Sequence, residues 1–433
     1  LRDVYKRQLD RYIALMEKDA IHIEDIKVGN EILFHKKEIM RLYIKDLKAY
    51  PINKRKKEIK RYLNLKIKER IESLLIEIDN EWEKKIREIR RENEDSLERR
   101  KLLISLYEER DKIKENVKTN GKKEFNNYFK DWKDINSRDI YYNFYNDELF
   151  ETATGSKIPK VLADYMKEEF NSNFEKNIID EDDLPALAYI RILLEGIDEE
   201  EKFKYIIVDE AQDYSPFQVY LVNSFAKGNA LTLVGDLAQG IYYYKGLKTW
   251  EDITKQVFEG NATYIQLTQS YRSTVEIIDF AKKTLQSQNL GLKDAKPVLR
   301  HGEKPKIVKI SSGDEYISAI EKIINEVQNH GKRTVAIITK NMLQGEEIYK
   351  FLKGKSKYNF ELILGKEKEI AEDLIIIPSY LTKGLEFDCT IILNPSEDNY
   401  KENILDERLL YVSLTRALHL EYIIIKDEAT NLI

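Results

Sequence analysis

The run Tyr205-Ile206-Ile207-Val208 leads directly into two adjacent carboxylates, Asp209 and Glu210. Ligands of open α/β sheets bind beyond the carboxyl ends of the strands, which is where this pair would emerge. An Asp there can hold Mg²⁺, usually through water, and the adjacent Glu can deprotonate a water that attacks a phosphate. Acidic residues after a strand also start loops and cap helices, and for two carboxylates alone that structural role is the better interpretation.

Four further segments carry side chains of the types that phosphate chemistry uses. They are residues 233–242, 267–274, 381–388 and 409–417. The first contains Gln239, an amide that can sense a terminal phosphate, and the second and fourth contain Arg272 and Arg416. An arginine at a γ-phosphate neutralises charge that builds in the transition state, worth about a thousandfold or more in rate where it is used. Each segment is weak evidence on its own.

After about residue 181 the chain alternates short β-branched runs with amphipathic stretches, which predicts an α/β fold with parallel sheets covered by helices. The strands predicted to be buried are residues 205–208, 231–234, 307–310, 335–338, 374–377, 390–393 and 422–425. The predicted helices are residues 184–194, 275–285, 315–328, 345–352 and 406–418. A boundary near residue 290 would separate two successive α/β units.

From about residue 55 to 118 the chain is almost free of Gly and Pro and is dense in Lys, Glu and Arg. Apolar residues recur three and four apart on both sides of the polar segment 91–96, which predicts two long helices folded back as a hairpin. The apolar positions are Ile71, Leu74, Leu75, Ile78, Trp82, Ile86 and Ile89, then Leu97, Leu102, Leu103, Leu106 and Tyr107. The charges are interpreted as a solvated face, with contact to a partner at the tip or flank as the alternative. Mixed helix and loop is predicted for residues 119–180.

Composition sets outer limits on these predictions. A chain of 433 residues suggests about three compact units. The single cysteine, Cys389, allows no intramolecular disulfide and no Cys-based zinc site. No apolar run approaches the roughly 18 residues that cross a bilayer, so a cytoplasmic location is predicted. The net charge of −5 neither requires nor excludes a local basic groove for nucleic acid.

Five segments, taken in order, resemble motifs II to VI of superfamily 1 helicases of the UvrD/Rep type. They are DEAQD at 209–213, GDLAQGIY at 235–242, SYRS at 270–273, TKGLEFD at 382–388 and LYVSLTRA at 410–417. The resemblance implies two RecA-like lobes that bind ATP and Mg²⁺. By this resemblance Asp209 binds Mg²⁺ and Glu210 is the catalytic base. Arg272 and Arg416 approach the γ-phosphate, and Gln239 couples that phosphate to movement of the lobes. The resemblance further implies that Tyr271 stacks on the adenine, and that Gly384 and Glu386 contact the nucleotide, Glu386 at the ribose.

Two features make the chain look like the HelD family, helicase-like factors that remove RNA polymerase from nucleic acid. The interval from Arg272 to Thr382 spans 110 residues, without the large insertion of UvrD-type unwinding enzymes, and the helical hairpin precedes DEAQDYSPFQ. By this resemblance, residues 1–34 are a remnant of the first lobe, 35–178 an inserted helical arm, 179–289 the first lobe, and 290–433 the second. RNA polymerase would be the partner, with DNA or a DNA/RNA hybrid as a possible second ligand.

One element of the resemblance is missing. A GxxxxGK[ST] loop cradles phosphates with backbone N–H groups and a lysine, and the nearest segment, Gly354-Lys355-Ser356, has Tyr349 in the position of the first glycine. The chain starts at Leu1 rather than Met, and a lineage that had abandoned ATP would have no reason to keep Glu210, Arg272 and Arg416 together, so we expect this loop to be encoded upstream. The N-terminal coiled coil of the HelD family is also not recognised in residues 1–433. The chain as printed is then a fragment that hydrolyses ATP poorly.

Two other functions stay open at this point. The chain could be a DNA helicase or translocase whose lobes walk on single strands by stacking and phosphate contacts. A third interpretation is that the helical arm is a self-associating coiled coil, although its apolar stripe is too short and irregular for sustained heptads.

Overall fold

The computed structural model describes residues 2–19, 23–146, 148–155, 158–242, 244–285, 288, 296–297, 300–367, 369–426 and 428–433. Contacts divide the chain into two units, Leu1–Lys204 with Ser224–Gly228, and Tyr205–Asn223 with Asn229–Ile433. The predicted boundary near residue 290 lies outside the described residues, and the four predicted domains remain a prediction. Within the described ranges, every helix is too short or too polar to cross a membrane.

The first unit is mainly helical. Its elements are α1 (Arg2–Asp19), β1 (Ile26–Val28), β2 (Glu31–Phe34), α2 (Lys36–Arg41), α3 (Ile52–Glu92), α4 (Leu97–Asp131), α5 (Ser137–Asn146), α6 (Leu149–Thr154), α7 (Lys160–Glu175) and α8 (Leu184–Glu195). The prediction of mixed helix and loop over residues 119–180 is confirmed by α5 to α7. The antiparallel pair β1–β2 was not predicted, because strands of three or four residues are too short to show a period.

The predicted helical hairpin is confirmed by α3 and α4. Residues 93–96 join the two helices, and the Ser96 hydroxyl caps α4 by accepting a hydrogen bond from the N–H of Arg99 (3.1 Å). Leu74, Ile78, Trp82 and Ile86 of the predicted α3 stripe are buried. Spacings of four residues therefore did identify the packed face of α3.

The apolar stripe predicted for the second helix is wrong at its start. Leu97 is 70% exposed and Leu102 is also exposed, whereas the buried positions of α4 lie farther along, at Val117, Phe125 and Phe129. Farther from the tip, α4 also packs against β1 in the described structure. In that part of the hairpin, β1 covers apolar residues of α4 in addition to α3, and this explains why the buried positions lie there rather than at the tip.

The second unit begins with two short parallel pairs. These are β3 (Ile206–Val208) with β4 (Leu231–Leu233), and β5 (Gln269–Ser270) with β6 (Lys296–Pro297). Three helices accompany them: α9 (Pro216–Ser224), α10 (Trp250–Gln256) and α11 (Val275–Ala281). Because β3 and β4 are parallel neighbours, the segments that follow them emerge at the same edge, and these segments begin with Asp209 and Val234.

Six strands of the described chain form one parallel sheet in the order β7-β12-β11-β8-β10-β9. The strands are β7 (Lys306–Lys309), β8 (Val335–Thr339), β9 (Glu361–Leu362), β10 (Leu374–Pro378), β11 (Phe387–Leu393) and β12 (Ala417–Ile425), and the helices are α12 (Gly313–Asn329), α13 (Met342–Leu352) and α14 (Ile404–Leu414). The hydrophobic core on one face of this sheet includes Ile323 of α12, and the core on the other face includes Leu410 of α14. The predicted α/β class with parallel sheets is confirmed, and all seven predicted strands are present. The prediction that they are buried is wrong for β3, β4 and β7, because Ile207 and Ile307 are exposed and β4 is only half-buried.

The predicted helix 406–418 is wrong at its end. α14 stops at Leu414, and β12 begins at Ala417. The N–H of Phe387 donates to the carbonyl of Arg416 (3.0 Å), so the chain has already joined the sheet at that residue. Ladder pairing with β11 decided this boundary, which a local pattern does not encode.

Candidate functional site

Asp209 and Glu210 follow β3 directly, as predicted. Glu210 has a φ of 53°, in the left-handed region that non-glycine residues seldom adopt, and the Asp209 carboxylate accepts the N–H of Glu210 (2.8 Å). A 3₁₀ turn, Ala211–Asp213, comes next and is tied to the neighbouring strand by the N–H of Ala211, which donates to the carbonyl of Val234 (2.9 Å). The turn therefore holds Glu210 in a strained conformation.

Gln212 connects this turn to the segment after β4. It is buried, its Nε2 donates to Glu210 Oε2 (2.5 Å), and its Oε1 accepts the N–H of Asp236 (3.0 Å). A Cβ on Gly235 would lie 2.2 Å from Gln212 Oε1, so only glycine fits this close approach. Sequence reasoning missed Gln212, and the glycine before Asp236 was the available sign of a close neighbour.

The contacts continue from Asp236 to the end of α14. Asp236 accepts hydrogen bonds from the N–H of Ala238 (2.9 Å) and from Nε2 of Gln239 (3.0 Å). Oε1 of Gln239 in turn accepts a hydrogen bond from Nη2 of Arg416 (2.6 Å). The structure thus brings two predicted site residues, Gln239 and Arg416, into direct contact, although 177 positions separate them.

Arg416 is fully buried, with no exposed surface. Its Nε donates to the Val412 carbonyl (3.0 Å) and its Nη1 to the Leu385 carbonyl (3.4 Å). Burial, and then the nearby charge of Arg272, lower the pKa of Arg416 to about 10, which still leaves it charged at neutral pH. A guanidinium with its donors occupied in this way has a fixed position.

Arg272 and Glu386 form an ion pair, with 2.6 Å between Nε and Oε1. The segment of Arg272 is tied to β12 by Ser273, whose hydroxyl donates to the Ala417 carbonyl (2.6 Å). Gly384 has a φ of 79°, which its lack of a side chain permits. Tyr271 is 70% exposed and makes a hydrogen bond to Gln269 (2.8 Å), so its ring is not enclosed by the protein.

Two basic residues of the site were missed. Lys383 contacts Glu210 (3.1 Å) and Asp213 (2.5 Å), and Arg408 is buried and donates to the Gly240 carbonyl (2.9 Å). Lys383 stands within TKGLEFD, but a lysine beside a glycine gives no local sign that it is buried against carboxylates.

Asp209 fits a hydrated magnesium ion better than a direct multidentate site. One carboxylate oxygen accepts the N–H of Glu210, and the side chain is exposed. Among the described residues, the group whose side chains are close enough to share a metal is Glu303, Glu326 and His330, in a different part of the unit. A single accessible carboxylate suits Mg²⁺, which keeps waters and binds substrate phosphates.

Gly354-Lys355-Ser356 follows the last turn of α13, as predicted, with a φ of 76° at Gly354. Carbonyl groups, rather than N–H groups, point out of this end of a helix. The segment therefore lacks the geometry of a phosphate cradle.

Two parts of the chain match domains of known helicases. Residues 37–255 match the UvrD/REP helicase N-terminal domain, and residues 373–424 match the UvrD-like helicase C-terminal domain. The ATP-dependent DNA helicase PcrA of Bacillus subtilis is 26% identical over 265 residues, 58% of this chain and 34% of that protein. A probable DNA helicase II homolog of Mycoplasma capricolum is 28% identical over 216 residues, 47% of this chain and 29% of that protein. The chain thus spans about a third of the length of these relatives.

Similar solved structures include the C-terminal domain of a possible DNA helicase from Lactobacillus plantarum WCFS1, at 30% identity and a TM-score of 0.31, covering 38% of this chain and 91% of that one. The helicase of PRRSV is 15% identical with a TM-score of 0.29, covering 53% of this chain and 37% of that one. The N-terminal domain match alone covers just over half of the 433 residues. The chain belongs to the UvrD/Rep helicase family.

Proposed function

We propose that this chain supplies most of the active site of an ATP hydrolase that drives a helicase-like motor. The observation that carries the proposal is the line of hydrogen bonds from Glu210 through Gln212, Asp236 and Gln239 to Arg416. A carboxylate and a buried cation at the two ends of one network suit phosphoryl transfer, which depends on positioning and on charge stabilisation.

In the proposed reaction, a water attacks the γ-phosphorus of ATP and passes its proton to the Glu210 carboxylate. The bond from the γ-phosphorus to its bridging oxygen breaks, and ADP and phosphate leave. Arg272 and Arg416 neutralise charge on the transferred group. Gln239 responds to the γ-phosphate through its contact with Arg416, and so couples nucleotide state to movement.

The remaining roles concern nucleotide binding. The exposed ring of Tyr271 stacks on the adenine, and Glu386 leaves its pairing with Arg272 to approach the ribose. The turn at Gly384 gives the backbone room near the nucleotide. Asp209 would hold Mg²⁺ through water, and the ion when bound would neutralise charge on the phosphate oxygens.

Residues 1–433 contain no GxxxxGK[ST] segment, so the proposed activity requires such a loop in addition to these residues. We expect the printed chain by itself to hydrolyse ATP poorly, because no backbone cradle of this type holds the phosphates. The activity is therefore proposed for the protein encoded by the complete reading frame.

The test is Glu210→Gln in that complete protein. The variant should bind ATP with unchanged affinity and lose most of its turnover, because the amide keeps the shape of Glu210 but cannot accept a proton. Glu369→Gln, at an exposed position, is the matched control and should hydrolyse ATP like the wild type. Unchanged hydrolysis by Glu210→Gln would remove Glu210 from the mechanism.

For the biological role, the proposal is a HelD-like factor that uses ATP to remodel RNA polymerase and release it from nucleic acid, acting in the cytoplasm. The α3–α4 hairpin before the DEAQD strand supports it, as do the 110 residues between Arg272 and Thr382, too few for a further large domain. Exposed Leu97, Leu102 and Ile104 at the hairpin tip suit a protein partner.

The alternative is an ATP-dependent DNA helicase or translocase, and the names of the relatives, PcrA and DNA helicase II, favour it. Co-purification with RNA polymerase that survives nuclease treatment, and is lost when Leu97 and Leu102 are changed to Ser, would support the remodelling factor. DNA-stimulated ATP hydrolysis with strand separation, and without polymerase binding, would refute it.

A further inference from the structure

His419 lies between two cationic side chains near the amino end of the parallel sheet. Nη2 of Arg300 is 2.5 Å from Nδ1 of His419, and Nζ of Lys332 is 2.8 Å from Nε2. His419 belongs to β12, whereas Lys332 precedes β8 and Arg300 precedes β7, so three separate segments meet at this ring. The proposed mechanism gives none of these side chains a role.

A neutral imidazole cannot satisfy both of these neighbours. It has one nitrogen that donates a hydrogen bond and one that accepts, whereas guanidinium and ammonium groups only donate. If Nδ1 accepts from Arg300, Nε2 carries the proton and faces the ammonium group of Lys332, donor against donor. The other tautomer moves the same conflict to Arg300, and a protonated ring has it on both sides. At least one of the two cations therefore faces an N–H group of the ring in every protonation state.

The cluster also carries more positive than negative charge. In the described part of the chain, the carboxylate that faces it is Asp388, with Oδ1 3.6 Å from Nε2 of His419. Its other oxygen accepts the main-chain N–H groups of residues 333–334, at 2.9 and 3.1 Å. Burial, and then the charges of Lys332 and Arg300, lower the pKa of His419, and Asp388 offsets this only in part, so the ring is neutral at neutral pH. One carboxylate thus stands against two cations.

The donors are held in place by the protein and are accessible from solvent. Nη1 of Arg300 donates to the carbonyl of Arg272 (3.2 Å), and Nη2 donates to the carbonyl of Leu418 (3.1 Å). Lys332 lies in the short connection between α12 and β8. All three side chains of the cluster are only partly buried, and 30% of the His419 side chain is exposed. Donors that are already positioned lower the cost of binding a ligand.

We propose that Arg300, Lys332 and His419 bind a phosphate group. A phosphate oxygen accepts several hydrogen bonds, so it takes one from Lys332 and one from the ring N–H and removes the conflict between these donors. Its negative charge balances the second cation. The group is a free phosphate ion or a phosphate of a single-stranded nucleic acid, because both present the same oxygens. This binding does not depend on the proposed hydrolysis and is measurable in the printed chain without ATP.

The test follows the ring signals of His419 in ¹H–¹⁵N NMR spectra of the 433-residue chain, assigned from their loss in His419→Gln. Sodium phosphate is added at a fixed pH of about 8, where an imidazole is neutral. Two charge-assisted hydrogen bonds correspond to a Kd of about 1 mM, so the His419 signals should shift and saturate in that range. Sodium chloride at the same ionic strength should leave them in place. An equal shift with chloride, or none with phosphate, overturns the proposal.

Lys332→Met removes one donor and keeps a side chain of similar length. The Kd for phosphate should rise about tenfold or more, whereas Lys332→Arg should retain binding. Lys366→Met, at an exposed position, is the matched control and should bind phosphate like the wild type. Equal affinities in Lys332→Met and Lys366→Met would overturn the proposal. The comparison with chloride needs no variant, so the test stands if Lys332→Met does not fold.

An oligothymidylate without terminal phosphates distinguishes the two sources of the phosphate group. If the site binds nucleic acid, the oligonucleotide should shift the His419 signals at concentrations well below those needed for free phosphate, because neighbouring nucleotides add contacts. If the site takes a free ion, phosphate alone should shift them. Either result supports a phosphate site, and no response to either ligand overturns it. Because ATP is absent from these measurements, that failure would leave the proposed hydrolysis standing.

Discussion

Gly235→Ala adds one methyl group at the point where the backbone of Gly235 lies against the side chain of Gln212. The new Cβ would lie 2.2 Å from Gln212 Oε1 and 3.1 Å from the backbone nitrogen of Ala211. The Gln212 side chain has to move, and it then loses its hydrogen bonds to the Glu210 carboxylate and to the N–H of Asp236. A neutral bond of this kind contributes about 1 kcal/mol and one to a charged group about 1.5–3, so the expected loss of unfolding free energy is about 3 kcal/mol.

The assay is chemical denaturation followed by tryptophan fluorescence. The chain has three tryptophans, and Trp82 and Trp132 lie in the first unit, so replacing both by Phe leaves Trp250 as the reporter. Trp250 packs against a cluster that contains Leu237 and Ile253, close in sequence to the affected turn. Its signal therefore follows the part of the second unit that Gly235 supports.

A control separates steric conflict from the general cost of removing a glycine. Gly331→Ala has a φ of 68° but open space around the new Cβ, so it should lose only about 1 kcal/mol. A double variant with Gln212→Ala should be less destabilised than the sum of the single variants, because the conflicting side chain is gone. A Gly235→Ala chain within about 0.5 kcal/mol of wild type, or strict additivity in the double variant, would refute the argument.

Two further predictions concern buried charge. Arg416→Lys keeps the charge but cannot reach all of Val412, Leu385 and Gln239, so the Trp250 signal should report a loss of about 2 kcal/mol, whereas Arg333→Lys at an exposed position should be neutral. An equal loss in both would contradict the fixed geometry of Arg416. Burial raises the pKa of Glu421 well above its usual value, with Thr390 donating to one oxygen. Since the unfolded chain then releases this proton first, stability should fall with rising pH above the unfolded pKa, at up to about 1.4 kcal/mol per pH unit, until the folded pKa is reached. Glu421→Gln should match the wild type near about pH 4 and exceed it near about pH 7 in denaturation experiments, and an equal difference at both values would contradict this.

The types and spacing of neighbouring residues predicted the main strands of the parallel sheet correctly. Runs of β-branched residues identified every long strand of the parallel sheet, because such strands are buried on both faces and need no alternation. Helix ends and short strands were predicted less well. Residue 416 pairs with a strand elsewhere in the chain, and β1 and β2 are too short to show a period. Exposure at the hairpin tip was misjudged because the spacing of apolar residues does not reveal how many neighbours a helix has.

The residues of the candidate site likewise fall into those that the sequence identified and those that it missed. Asp209 and Glu210 were identifiable because they directly follow a short run of β-branched residues, and Arg272 and Arg416 because they stand in short ordered motifs. Gln212, Lys383 and Arg408 were not, because glutamine, lysine and arginine are mostly exposed residues and their burial has no local signature.

The sequence by itself determined the parallel α/β class, the helical hairpin and part of the set of side chains in the site. It did not determine which members of that set touch. Lys383 meets Glu210 across 173 positions and Arg416 meets Gln239 across 177, and these contacts depend on strand order and on the turns that follow each strand. Only tertiary packing decided them, because a hydrogen bond or an ion pair requires atoms within about 3 Å, and no periodicity along the chain specifies a distance between segments so far apart.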